Sequence, residues 1–204
     1  MNILTDKLPE TVSIDGEEVP INWDFRYSIQ FSNLIQSPGD YTSDELVVEQ
    51  LKIYYPTIEE IDNLIEAYEK MIWFFMCGEE GQSEKGSKKP ILSYEEDGGY
   101  IFAAFLEQYD IDLQSLGSMH WWRFRSLLDS LKDDTQIVKI MGYRGMDIGK
   151  LPKEQKAFYK KMQRIHSLKK DTRTKEDIAF EEEIAEALVN GGSIEAIKKK
   201  YDKG

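Results

Sequence analysis

One cysteine, Cys77, and two histidines, His120 and His166, are all the thiol and imidazole groups in this 204-residue chain. A lone thiol excludes an internal disulfide and a Cys-based zinc cluster, and it fits a reducing compartment. Two imidazoles do not supply a His-rich metal site. The chain also lacks HExxH, a P-loop, GxGxxG and a nucleophile elbow. Its many carboxylates, Asp97 and Asp129 among them, fit caps and surface charge better than a general acid. A non-enzymatic protein without a cofactor is therefore expected.

Long apolar runs are missing as well. The longest, "MIWFFMC", falls far short of the roughly 20 residues that a membrane span needs. The opening "MNILTDKLPE" has neither a basic lead nor an apolar core of the secretory type. Excess positive charge is absent overall: the formal net charge is -12, so neither nucleic acid nor a membrane is an expected partner. Aromatic side chains, by contrast, are plentiful, with four Trp, eleven Tyr and nine Phe. That content, on a chain of this length, suffices to bury a core.

"TVSIDGEEVPI", residues 11–21, alternates apolar and polar positions on both sides of Asp15-Gly16, which predicts a hairpin with Pro20 on an edge strand. Helical periodicity begins at Asp24 and places Phe25, Ile29 and Ser32 or Ile35 on one face. A second helix starts at "TSDELVVEQ", with Ser43 as its N-cap, and stops before Pro56. Thr57 and Glu60 predict a capping box for a longer helix. Its stripe is Ile58, Ile61, Leu64/Ile65, Tyr68, Ile72 and Phe75, and Gly78 is its stop. Residues 79–93 form a Gly/Ser/Lys/Glu loop, expected to be mobile. Further helical patterns lie in "DGGYIFAAFLEQYDIDL", "MHWWRFRSLLDSL", "TQIVKIMGYRGMD" and, from Pro152, "PKEQKAFYKKMQRIHSLKK". The reading is a mostly α fold with a small N-terminal hairpin. It comprises a helical domain over 1–172 and a charged helical C-terminal extension over 173–204.

Three stretches invite a functional reading. In the Trp-Trp helix, Trp121, Phe124, Leu128 and Leu131 share a core stripe, while Trp122 falls about 100° away on a line with polar residues. Trp122 either packs beneath another helix or, with Arg125 three residues on, anchors a partner protein. In "MIWFFM", Trp73, Phe74 and Met76 make the turn apolar on every side. That fits a buried helix, or else a patch for oligomerisation or client binding. Finally, residues 150–175 hold ten Lys/Arg against two acids, +8, so the remainder carries -20. Lys153, Lys156, Lys160, Lys161 and Arg164 lie in that strip. They are either a solvated face paired with acidic neighbours or a docking strip for an acidic partner.

"LPETVSIDGEEVPINWDFRYSIQF", "IWFFMCG", "YIFAAFLEQYDIDL", "MHWWRFRSLLDSL" and "KIMGYRGMDI" together resemble the bacteriophage gene-product-fifteen family, over about Leu8 to Leu168. That family occurs in siphophages and prophages of Gram-positive bacteria. The resemblance implies a tail-morphogenesis protein, a tail-assembly chaperone or accessory protein encoded near the tape-measure gene. Phage tail proteins, the tape-measure protein first among them, are its implied partners, with self-association left open. Its implied location is the cytoplasm of the infected or lysogenic host. A structural tail or tail-completion subunit is the alternative within the same setting, and a small host-directed regulatory or enzymatic protein the alternative outside it. The resemblance carries no catalytic residue, and nothing after about Thr172 takes part in it.

Overall fold

A computed structural model describes residues 2–79, 90–169 and 200. Most of the expected loop, and the C-terminal extension apart from Lys200, lie outside the described residues. The fold is mostly α, with seven α-helices and one two-stranded hairpin among the described residues. The chain divides into two compact units, a boundary that sequence periodicity did not mark within 1–172. The first holds residues 2–79 and 120–122, the second 90–119 and 123–169.

In the first unit, β1 (Thr11–Ile14) pairs antiparallel with β2 (Glu17–Pro20), Ile14 opposite Glu17. Asp15 and Gly16 form the two-residue connection, both at positive φ (50° and 80°), the geometry that matches the twist of the strands. Val12 and Ile14 point into the core, and Pro20 sits on an open edge as expected.

Helix α1 (Phe25–Gln36) starts at Asp24, whose carboxylate accepts the Arg26 N–H. Its buried face is Phe25, Ser28, Phe31 and Ser32, which keeps Phe25 and the Ser32 alternative of the expected face but leaves Ile29 and Ile35 only half-buried. A polar residue can take the inner position because the buried Tyr54 hydroxyl donates to Ser28 Oγ at 2.8 Å. Helix α2 (Ser43–Tyr54) is capped one residue earlier than expected. Thr42 is the N-cap, and Glu45 completes its capping box.

The helix expected from Thr57 is interrupted. Residues Ile58–Glu60 make one 3-10 turn, Thr57 makes no capping bond, and Ile61 is extended. Helix α3 (Leu64–Phe75) begins afresh at Asn63, whose side chain accepts the Glu66 N–H. The hairpin turn sets this start. Asn63 Nδ2 donates to Asp15 Oδ1, and the Asp15 N–H donates to Glu66 Oε2, each at 2.8 Å. The new phase buries Ala67, Met71 and Phe74, one residue before each of the expected Tyr68, Ile72 and Phe75, while Leu64 and Ile65 are exposed. The Ala67 carbonyl there accepts the buried Tyr55 hydroxyl at 2.7 Å.

In the second unit, α4 (Tyr94–Tyr109) is N-capped by Ser93, and the buried Asp97 carboxylate accepts the Ser93 N–H in return. The last turn of α4 closes the end of the Trp-Trp helix, α5 (Trp121–Asp129). There Tyr109 donates to the Leu127 carbonyl at 2.8 Å and Gln108 to Ser130 at 3.1 Å. Phe124 stacks on Phe105, 5.0 Å between centroids. Helix α6 (Gln136–Gly145) buries Ile137 and Ile140 and packs on α4. A bidentate ion pair joins these helices: Arg144 Nη1 and Nη2 reach the two Asp97 oxygens at 2.6 and 3.0 Å, both side chains buried. Helix α7 (Lys153–Ile165) follows Pro152, which takes the N-cap position just ahead of the first turn.

Candidate functional site

The end of α3 explains the paired tryptophans. A helix leaves its last carbonyls without partners inside the helix. Here the Cys77 N–H donates to Phe74 and the Gly78 N–H to Trp73, with Cys77 and Gly78 both left-handed (φ 58° and 76°), the Schellman arrangement. The two indoles add to it in succession: Trp121 Nε1 donates to the Phe75 carbonyl and Trp122 Nε1 to the Phe74 carbonyl, both at 2.8 Å. Trp121 also lies flat on Phe75, 5.4 Å between centroids at 9°. Trp122 meets Trp73 edge-on at 5.4 Å, and a Cβ on Gly78 would come within 2.8 Å of its ring. Glycine at 78 thus serves both backbone conformation and space for the indole.

These contacts revise the surface reading of the stretch. Trp122 is 4% exposed and Phe74 0%. A partner could reach them only after the first unit rearranged. The polar line along α5 suggested a boundary position for Trp122, but the end of α3 and Trp73 cover it. Trp73 is half-buried, and Met76 is exposed at 42%. Arg125 belongs to the second unit, where Nη2 reaches Asp129 at 3.5 Å. The suggested Trp122–Arg125 anchor is therefore not an exposed pair.

The strip on α7 is placed differently. One side of the helix faces α6. Tyr143 stacks on His166 (5.9 Å, 21°) and meets Tyr159 edge-on, while Gln163 Nε2 donates to the Tyr143 and Met146 carbonyls at 3.0 and 2.9 Å. Arg144 Nε donates to the His166 carbonyl at 2.6 Å, and the Lys169 N–H to Glu96 at 2.9 Å, so both the end of α7 and the chain just beyond are tied down. On the other side, Lys153, Lys160, Lys161 and Arg164 are exposed. None of the four makes an ion pair among the described residues. Lys156 is half-buried and donates to the Gly149 carbonyl at 3.2 Å.

Between these cations lie two apolar side chains that inspection of the sequence did not single out, Phe158 (49% exposed) and Ile165 (54%). Their spacing of seven residues puts them on one face with Lys161. The signal was available in the sequence as an apolar pair at i and i+7; Phe158 also meets Tyr143 of α6 edge-on at 5.9 Å, which leaves about half of its surface open. Chemically, the face offers an apolar anchor with mostly basic neighbours, Glu154 being the one acid on the helix, suited to an acidic amphipathic segment.

Among the described residues, no group of three or more His, Cys, Asp or Glu side chains could hold a metal. No helix among them is long and apolar enough to cross a membrane. No curated protein and no solved structure matches the chain. A family model described as "Bacteriophage Gp15 protein" matches residues 4–168, a span that encloses all five sequence blocks and most of the described residues of both units. The chain belongs to this bacteriophage Gp15 family, and it is a phage protein of the structural or morphogenesis class.

Proposed function

We propose that the protein is a non-enzymatic tail-assembly chaperone that acts in the host cytoplasm, with the outer face of α7 as its docking surface for the tape-measure protein. The observation that carries the surface is the exposed Phe158/Ile165 pair set among Lys160, Lys161 and Arg164 without acidic partners among the described residues. A tape-measure protein is long and largely helical, and its amphipathic faces need cover until tube subunits surround it. A helix face with an aromatic anchor can supply that cover. The opposite charge on the rest of the chain, about -20, favours solubility of many copies on one client.

The test is co-expression with the tape-measure protein encoded in the same tail region. The wild-type chain should co-purify with it. Phe158→Ala should weaken capture by roughly 2 kcal/mol, about thirtyfold, as for an interface anchor. Combined Lys160→Glu, Lys161→Glu and Arg164→Glu should abolish it at moderate salt. Capture unaffected by both variants would remove α7 from the interface. Mass spectrometry of purified virions addresses the chaperone role separately. A stoichiometric presence there would replace it with that of a structural tail or tail-completion subunit.

A further inference from the structure

His120 uses both ring nitrogens. Nε2 lies 2.9 Å from the Pro9 carbonyl oxygen, and Nδ1 lies 3.1 Å from the Trp122 backbone nitrogen. A carbonyl only accepts and a backbone N–H only donates, so the proton sits on Nε2 and the lone pair on Nδ1. His120 immediately precedes α5, which makes Nδ1 a side-chain N-cap for the second helical residue. Its backbone bridges Asp24, and the adjoining Trp121 N–H donates to the Trp23 carbonyl at 2.8 Å. The ring lies parallel to Trp23 (5.9 Å, 8°) and contacts Phe74 and Trp122, at 5.5 and 6.0 Å. One neutral imidazole thus connects the N-terminal segment, the entry to α1, the end of α3 and the start of α5.

We infer that His120 is an acid-sensitive latch: while neutral it ties the Pro9 segment to the start of α5, and on protonation it releases the start of α5. An imidazolium would direct an Nδ1–H at the Trp122 N–H, two donors facing each other. It would also put positive charge at the positive end of a helix and out of water, a cost that the face of Trp23 offsets only in part. The charged groups around it come from two segments. Glu10, beside Pro9, favours the imidazolium. Asp24 has its carboxylate engaged by the Arg26 N–H and guanidinium. Helix α3 presents Phe74, which is uncharged, and the nearest charge on α5, Arg123, is exposed. Burial outweighs the help from Pro9 and Glu10 and lowers the His120 pKa below its ordinary 6.5. Because the folded pKa is the lower one, the latch contributes its full stability above about pH 6.5. That contribution is lost as pH falls from there through the folded pKa.

The device is tested on the wild-type chain by ring resonances of labelled histidine, with His120 assigned from a His166→Gln variant. Amide exchange at Trp122, corrected for its intrinsic pH dependence, is followed alongside. His120 should titrate below about 6.5, and Trp122 protection should fall by up to about tenfold per pH unit over the interval beneath it. His120→Asn keeps a cap acceptor that does not titrate and should remove that pH dependence. The inference is overturned if His120 titrates at or above 6.5, or if Trp122 protection stays constant across the titration. It is equally overturned if His120→Asn retains the wild-type pH dependence, which would assign the acid response to carboxylates. If that variant does not fold, the wild-type titration and exchange decide alone.

Discussion

Replacing Gly78 by alanine imposes two separable costs. The first is conformational: at φ 76° a side chain costs about 1–2 kcal/mol, partly offset by about 0.5–1 kcal/mol because the unfolded alanine chain has less freedom than glycine. The second is steric. The new Cβ meets Trp122 Cη2 at 2.8 Å, in a ring fixed by its bond to the Phe74 carbonyl, so overpacking of about 1–3 kcal/mol follows. Trp122→Ala alone should cost about 3–5 kcal/mol, since a fully packed indole leaves a cavity. Trp121→Ala should cost about as much, because both rings are buried. In the double variant Gly78→Ala/Trp122→Ala the steric cost disappears with the ring, and only the conformational cost remains. The two substitutions should therefore be less costly together than their sum, by about 1–3 kcal/mol. Urea unfolding followed by far-UV circular dichroism measures all four corners without depending on the emission of the mutated tryptophan. Additivity within about 0.5 kcal/mol would refute the reasoning, because it would mean that the 77–79 backbone yields and the indole is never compressed.

Two further outcomes follow from buried or capping polar groups. Asp97→Ala leaves Arg144 buried without its bidentate partner and should cost about 3–5 kcal/mol; a thermal melt within about a degree of wild type would show that the Ile91 and His166 carbonyls alone hold the guanidinium. Thr42→Ala removes the hydroxyl of the capping box on α2 and should cost about 1 kcal/mol, read as a drop in Tm of about 2–4 °C. An unchanged Tm would show that the first turn of α2 is satisfied by solvent.

Element types were legible where a local rule sufficed. Asp15-Gly16 between alternating strands specified the hairpin, and the stripe of Trp121, Phe124, Leu128 and Leu131 is buried as its periodicity required. The errors came from long-range contacts that no window of sequence contains. Tyr54, 26 residues away, made Ser28 an inner position. Asp15, 48 residues before Asn63, fixed where α3 begins and shifted its face by one residue. The same holds for the candidate surfaces. Trp122 reads as amphipathic on its own helix, and only its bond to the Phe74 carbonyl, 48 residues away, shows why it is covered. On α7 the cations were legible from charge alone. The spacing of Phe158 and Ile165 was legible too, but the share of each that stays open depends on the packing of α7 against Tyr143 of α6.

The left-handed backbone at Cys77 has a practical consequence. A non-glycine residue at φ 58° carries about 1–2 kcal/mol of conformational cost, and glycine there would relieve it against about 0.5–1 kcal/mol of additional chain entropy. Cys77 is also the only thiol in the chain. Cys77→Gly therefore yields a thiol-free background at close to no thermodynamic cost. A reporter cysteine introduced at the exposed Lys153 could then be coupled to a fluorophore with a single attachment chemistry, and a change in its emission on adding a candidate partner would test the docking proposed for α7.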